Sequence, residues 1–374
     1  MIEIREVKTK KDQREFLEFP LRMYREEPRF VPPLWMDEKK IFDPGYAYYE
    51  CCEAVYYLAL REGETVGRIS GILQKTSNEL RGQKRVRFTR FDCINDAEVA
   101  RALFAAVEAW ARQKGMDTVC GPLGFSNLER QGLLVEGFEE FTTFEEQYNA
   151  PYYGDLLEAC GYQKEIDWVE RQIRLPEDGG AKLLELSDKL AARYGVRSAE
   201  IANVDQLIDR YADRFFALFE KSYAHLYQTV PFTPGMKKMV ISNFKLILNK
   251  KYAGVVVNDA GEVVGIGVCF PSISDALRPS AGRLTPAALV RVLRALRKPR
   301  VLELGLIGVD PDCKNQGASI VILAHLARIL REEKSIEFAE TNLNMETNTD
   351  IQNLWDKRFD ARLHKRRRAY IKEL

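Results

Sequence analysis

Histidine is scarce in this chain. There are three in 374 residues, His225, His325 and His364, too scattered to form a ligand spacing, so no metal site is expected. The seven cysteines are odd in number and contain no CxxC pair. That reads as reduced, mostly buried thiols in a cytoplasm. No apolar run is long enough to span a bilayer, and the first residues, Met-Ile-Glu-Ile-Arg-Glu-Val-Lys, lack the apolar core of a signal peptide. An excess of one charge is missing as well. With 56 Lys and Arg against 55 Asp and Glu, the formal net charge is +1, and no global field draws in nucleic acid or an anionic surface.

What is present describes a folded protein of ordinary composition, 46% hydrophobic and 30% charged. The length favours two domains over a single core. Alternating Ile2–Val7 predicts a strand, and residues 10–25 a helix interrupted by Pro20. A hairpin follows, Val55–Leu60 and Thr65–Leu73 about a turn at Glu62-Gly63. Residues 85–93 read as a strand, and Asp96 as the N-cap of a helix ending at Gly115. A strand at 117–121, an irregular stretch at 122–148, a helix at 153–160 and a strand at 166–174 close the first half. Pro176-Glu-Asp-Gly-Gly180 is the best linker, giving expected domains of 1–176 and 181–374.

The second half restarts the same order. After a helix near 181–193, a strand around Val196–Ile201 and one or two helices between Val204 and Asn249, a hairpin runs Ala253–Val257 and Val263–Phe270, with Gly261 in its turn. Thr285-Pro286 opens a helix whose apolar face is expected at Leu289, Val292, Leu293 and Leu296. With an offset of 198, Gly63, Glu64, Val66 and Gly67 fall on Gly261, Glu262, Val264 and Gly265, which argues for an internal repeat.

The stretch from Val301 to Lys334 organises the second half. An apolar strand ends at Val309, a turn reads Asp-Pro-Asp-Cys-Lys-Asn-Gln-Gly-Ala-Ser, and an apolar helix follows. Such a turn aims the free amides of a helix's first turn at one spot, a ready anion site. Val309, Pro311, Lys314, Gly317 and Ser319 resemble motif A of the GNAT superfamily of acyl-CoA-dependent N-acyltransferases. Lys314 and Ser319 depart from the usual residue types there. With the repeat, the whole chain resembles a tandem GNAT protein of a largely uncharacterised bacterial group. Pro28–Leu34, Gly121-Pro122 and the closing Asn353-Leu-Trp and His364–Tyr370 segments suggest that group.

The resemblance implies an α/β fold (an α+β mixed sheet), with two GNAT-like domains in tandem. It implies a co-substrate, acetyl-CoA or a longer acyl-CoA, and an amine acceptor of unknown identity. Leu306, Ile307 and Val309 would meet the pantetheine arm, Lys314 and the amides of Gln316, Gly317, Ala318 and Ser319 the pyrophosphate, and Asn348 the pantetheine again. Glu303 is the candidate general base, with a solvent-facing or Arg-paired strand residue as the open alternative, and Glu340 the second choice. The usual Tyr acid is replaced by Trp355, which cannot release a proton. Tyr370, Tyr227 or His225 could serve instead. The first half shows Asp92, Asp96 and Glu98 and no glycine at the equivalent turn, so a degenerate domain without a CoA site is expected. A non-catalytic acyl-CoA-binding protein and a tRNA-dependent aminoacyl transferase are the alternatives. The basic run Arg362–Lys372 is expected to be a solvated strand edge rather than a nucleic-acid surface.

Overall fold

A computed structural model describes residues 1–374. The chain forms two compact units, Met1–Val169 with Ser274–Leu289 and Lys365–Leu374, and Glu170–Ile273 with Val290–His364.

In the first unit, strand β1 (Ile2–Glu6) pairs antiparallel with β2 (Cys52–Arg61), β2 with β3 (Glu64–Gln74), and β3 with β4 (Arg85–Cys93). The helix Ala97–Gln113 then crosses over and returns the chain to β5 (Thr118–Gly121), parallel to β4. A short β6 (Leu133–Glu136) lies in the irregular stretch, and β7 (Gln163–Arg174) follows. The core packs the crossover helix, through Leu103, Phe104 and Val107, against Ile69, Phe88 and Phe91. The helix Lys10–Met23 is continuous rather than interrupted at Pro20. Proline lacks the N–H that the Phe16 carbonyl would accept. Arg68 donates to that carbonyl at 2.8 Å, and its Nε also meets Asp92 at 2.8 Å.

The second unit repeats this order. Strand β8 (Val196–Ser198) pairs with β9 (Ala253–Asn258), β9 with β10 (Val263–Pro271), and β10 with β11 (Val301–Val309). The helix Ala318–Glu332 crosses to β12 (Phe338–Thr341), parallel to β11. The repeat extends to an irregularity that no periodicity predicts. The first hairpin bulges at Val66 and the second at Val264, the same position at the offset of 198. The glycine after each bulge lies under the crossover helix. A Cβ on Gly67 would stand 2.8 Å from Leu103, and one on Gly265 would stand 3.0 Å from Ile322.

The compact units are not the two consecutive halves. The last strand of each half passes from one unit into the other. Residues 172–173 of β7 pair with β12, beyond the short β13 (Asn344–Met345) in sequence the long β14 (Asp360–Glu373) follows, and its residues 370–373 pair with β5. The basic run on β14 is not a solvated edge. Lys365 donates to the Phe141 carbonyl at 3.0 Å, Arg367 is fully buried against Gln147, and Arg366 and Arg368 both meet Asp167. Burial with paired charges lets a strongly basic segment act as a core strand.

Candidate functional site

The site of interest lies in the second unit, where β11 outruns its parallel neighbour. Strand β12 pairs with Val301–Leu304 and no further, while β10 follows β11 to Val309. Between the two registers β11 bulges at Gly305, because Cys269 faces Leu304 and Val268 faces Leu306. Glycine is required there, since a Cβ would stand 2.5 Å from the Phe270 ring. The amide of Asp310 reaches Val264 on β10, so strand alternation turns the N–H and C=O groups of Ile307 and Val309 to the opposite side, into the opening.

Two side chains that the sequence reading passed over meet those groups. The helix Val204–Tyr223 ends beside the opening, and Tyr223 Oη donates to the Ile307 carbonyl at 2.8 Å while Ser222 Oγ donates to the Val309 carbonyl at 2.9 Å. Burial pushes the Tyr223 phenol up to about 12. The carbonyls of Ile307 and Val309 are therefore already engaged by side chains, while their amides face the opening. Leu306 lies on the same segment with its backbone groups directed to β10.

Beyond the strand, the turn is shaped by two left-handed residues, Asn315 at φ 76° and Gly317 at φ 81°. Gly317 also lies under Leu190, whose Cβ would stand 2.9 Å from an added methyl. No side chain caps the helix Ala318–Glu332, so the amides of Gly317, Ala318 and Ser319 converge without an internal acceptor. Gln316 does not join them, because its amide already donates to the Cys313 carbonyl at 3.0 Å. Lys314 forms an exposed 2.6 Å ion pair with Asp350, and Lys221 pairs with both Asp310 and Asp312. Asn348 is occupied as the N-cap of the helix Thr349–Arg358, accepting from the Ile351 amide. Trp355 is buried and donates to Asn344 at 2.9 Å.

The carboxylates are the clearest structural gain. Glu303 is 3% exposed, not a solvent-facing residue, and stands directly opposite Glu340 in the parallel ladder. Glu340 in turn meets His364 Nε2 at 2.6 Å, with both side chains fully buried. The fold thus joins the two carboxylates weighed as bases and adds a histidine hidden in sequence by the basic run around it. The other candidates are not part of this group. His225 is exposed in the turn after Tyr223. Tyr370 belongs to the first unit's core, opposite Gly121 on β5, with its phenol raised by burial.

The equivalent opening in the first unit is filled. Tyr152 Oη donates to the Cys93 carbonyl at 2.8 Å, and Tyr153 Oη accepts from the Cys93 amide at 2.9 Å. Tyr24 completes the plug by bonding Tyr153 at 2.7 Å. The following helix is capped internally by Asp96, which also binds Arg61 at 2.6 Å. The first turn of that helix is thus satisfied by a side chain, whereas the helix Ala318–Glu332 has no side-chain cap.

No family model matches the chain. It is 25% identical to Protein YghO of Escherichia coli (strain K12), over 99% of this chain and 95% of that protein. It is also 25% identical to the bacterial ceramide synthase of Caulobacter vibrioides (strain NA1000 / CB15N), over 78% of this chain and 75% of that one. Among solved structures, a tandem GNAT protein from the clavulanic acid biosynthesis pathway matches with a TM-score of 0.58 at 14% identity, covering 100% of this chain and 98% of that one. A GCN5-related N-acetyltransferase from Sphaerobacter thermophilus matches with a TM-score of 0.52 at 12% identity, covering 100% and 95%. The shared strand order, the repeated bulge and the full-length structural match lead to one conclusion: this chain has the fold of a tandem GNAT protein.

Proposed function

We propose that the chain is an acyl-CoA-dependent N-acyltransferase with its chemistry in the second unit. The observation that supports this most directly is a set of open amides, those of Ile307 and Val309 on the strand that also holds the buried Glu303, and those of Gly317–Ser319 at the start of the helix that follows it. An acyl-CoA would supply a thioester-activated acyl group. The amides of Ile307 and Val309 would orient its pantetheine arm, and those of Gly317–Ser319 its pyrophosphate. Lys314 would add a point charge, since an exposed ion pair such as that with Asp350 exchanges readily. Glu303 would take the proton that the acceptor nitrogen loses as the amide bond forms, with Glu340 and His364 holding its surroundings. The name of the Caulobacter relative denotes amide formation on a long-chain amino lipid. On that footing the acceptor proposed is a lipid amine and the donor a long acyl-CoA.

A second reading, acyl-CoA binding without turnover, is favoured by Trp355, which stands where a Tyr acid is expected and is committed to Asn344. One experiment separates the two. Thermal unfolding is followed with CoA, acetyl-CoA and longer acyl-CoAs, since a ligand at a hundred times its dissociation constant stabilises by about 2.7 kcal/mol. Free thiol release is then measured with the best donor and a long-chain amine. Thiol release that falls about a hundredfold or more in Glu303→Gln, with the midpoint shift kept, supports the transferase. A shift without thiol release leaves the binding protein, and no shift with any donor removes both readings.

A further inference from the structure

The helix Pro286–Arg297 has two apolar faces, and only one is used. Ala288 and Val292, four residues apart, are fully buried, and Ala295 and Leu296 are half-buried behind them. Leu289, Val290 and Leu293 instead stand 41%, 48% and 44% exposed. The sequence pattern places Leu289 and Leu293 on the core face, so the structure corrects that expectation. At about 100° per residue the three exposed side chains form a continuous outward arc. They are three of the nine large hydrophobics exposed anywhere in the chain, gathered within two turns of one helix.

The arc beside them is basic. Arg294 and Lys298 are exposed on that side, Arg297 is exposed one turn beyond Leu293 at the end of the apolar arc, and Arg291 lies between the basic side and the buried face. No acidic residue occurs from Pro286 to Arg300, in a chain whose charges otherwise balance to +1. Arg300 follows and faces Glu337 at 3.7 Å. An apolar arc flanked by cations is the pattern of a helix lying in the interface of a bilayer, apolar side chains among the acyl chains and cations at the phosphates. No helix here is long and apolar enough to cross a membrane, so any attachment through this helix is peripheral. Three exposed apolar side chains set against cations favour lipid over nucleic acid, for which charge alone would suffice.

We propose that this helix docks the protein on an anionic lipid surface, inserting Leu289, Val290 and Leu293 and placing Arg294, Arg297 and Lys298 at the headgroups. The inference stands on the helix alone and holds whether or not the protein turns over. If the lipid-amine reading above is correct, it also names where the acceptor is met.

The test is flotation of the full chain with phosphatidylcholine vesicles, with and without phosphatidylglycerol. Binding is expected with phosphatidylglycerol, weakened by added salt. Arg294→Gln and Lys298→Gln should each lower the partition about fivefold, the equivalent of about 1 kcal/mol per cation. Val290→Gln with Leu293→Gln should abolish it, and these exposed positions leave the thermal midpoint in place, which confirms that the variant is folded. Absence of binding to phosphatidylglycerol vesicles overturns the proposal, as does binding that survives the apolar double change. Salt-sensitive RNA retention unaffected by the double change would assign the cations to nucleic acid. A concentration-dependent dimer lost in the double variant would assign the face to a second copy.

Discussion

His364 Nε2 stands 2.6 Å from Glu340 Oε1, and neither side chain is reached by solvent. A buried hydrogen bond to an ionisable partner is worth about 2 kcal/mol, and its loss leaves the acceptor in a medium that cannot solvate it. His364→Ala should therefore lower the free energy of unfolding in urea by about 2 kcal/mol. His364→Gln, which keeps a donor, should recover part of that. With Glu303 opposite Glu340, thiol release should fall in both variants while the acyl-CoA midpoint shift remains.

Gly317 is held at φ 81° under Leu190. Gly317→Ala forces a side chain into a left-handed conformation and against a Cβ, at a cost of about 1–3 kcal/mol. Thermal unfolding should show the loss, and the stabilisation by acyl-CoA should shrink with it because the turn's amides lose their alignment.

Tyr223→Phe removes the donor to the Ile307 carbonyl without changing the packing on Phe219, whose ring stacks at 4.3 Å. The expected loss is about 1 kcal/mol, read from the urea midpoint. Tyr24→Phe in the first unit should cost a similar amount, but should leave any acyl-CoA shift untouched, since that opening is already filled.

His325 sits on the crossover helix with its Nε2 on the Lys251 carbonyl at 3.0 Å. Burial holds its pKa below the ordinary value of 6.5, and the hydrogen bond to Lys251 only partly opposes this. The unfolded chain therefore takes up a proton that the folded chain resists. Stability from this residue is complete above the unfolded value and falls as pH drops below it. Thermal midpoints should decline on acidification below about pH 6.5, and His325→Gln should flatten that part of the profile.

Much of the order of elements could be read from local chemistry. Turns at Gly63 and Gly261, the cap at Asp96 and the apolar run of β11 each rest on residues close in sequence, and the structure has them where those signals fall. The repeat was legible for the same reason, since turn residues recur at a fixed offset. Long-range polar bonds were not. His364 bonds a residue 24 positions away, Tyr223 one 84 positions away, and neither pairing leaves a periodic trace. The basic run on β14 looked solvated because its counter-charges lie far off, with Asp167 about 200 positions from Arg368.

By itself the sequence determined two repeated α/β halves, a glycine-containing turn between the strand ending at Val309 and the helix after it, and the chemistry available at each position, because backbone preference and hydrophobic period act over a few residues. The tertiary structure alone decided which unit receives each half's last strand and which carbonyls Ser222 and Tyr223 engage. It also decided that Glu303, Glu340 and His364 share one buried neighbourhood and that Leu289 and Leu293 face outward. Each of these depends on what stands on the far side of a strand or helix, and only packing of distant segments sets that.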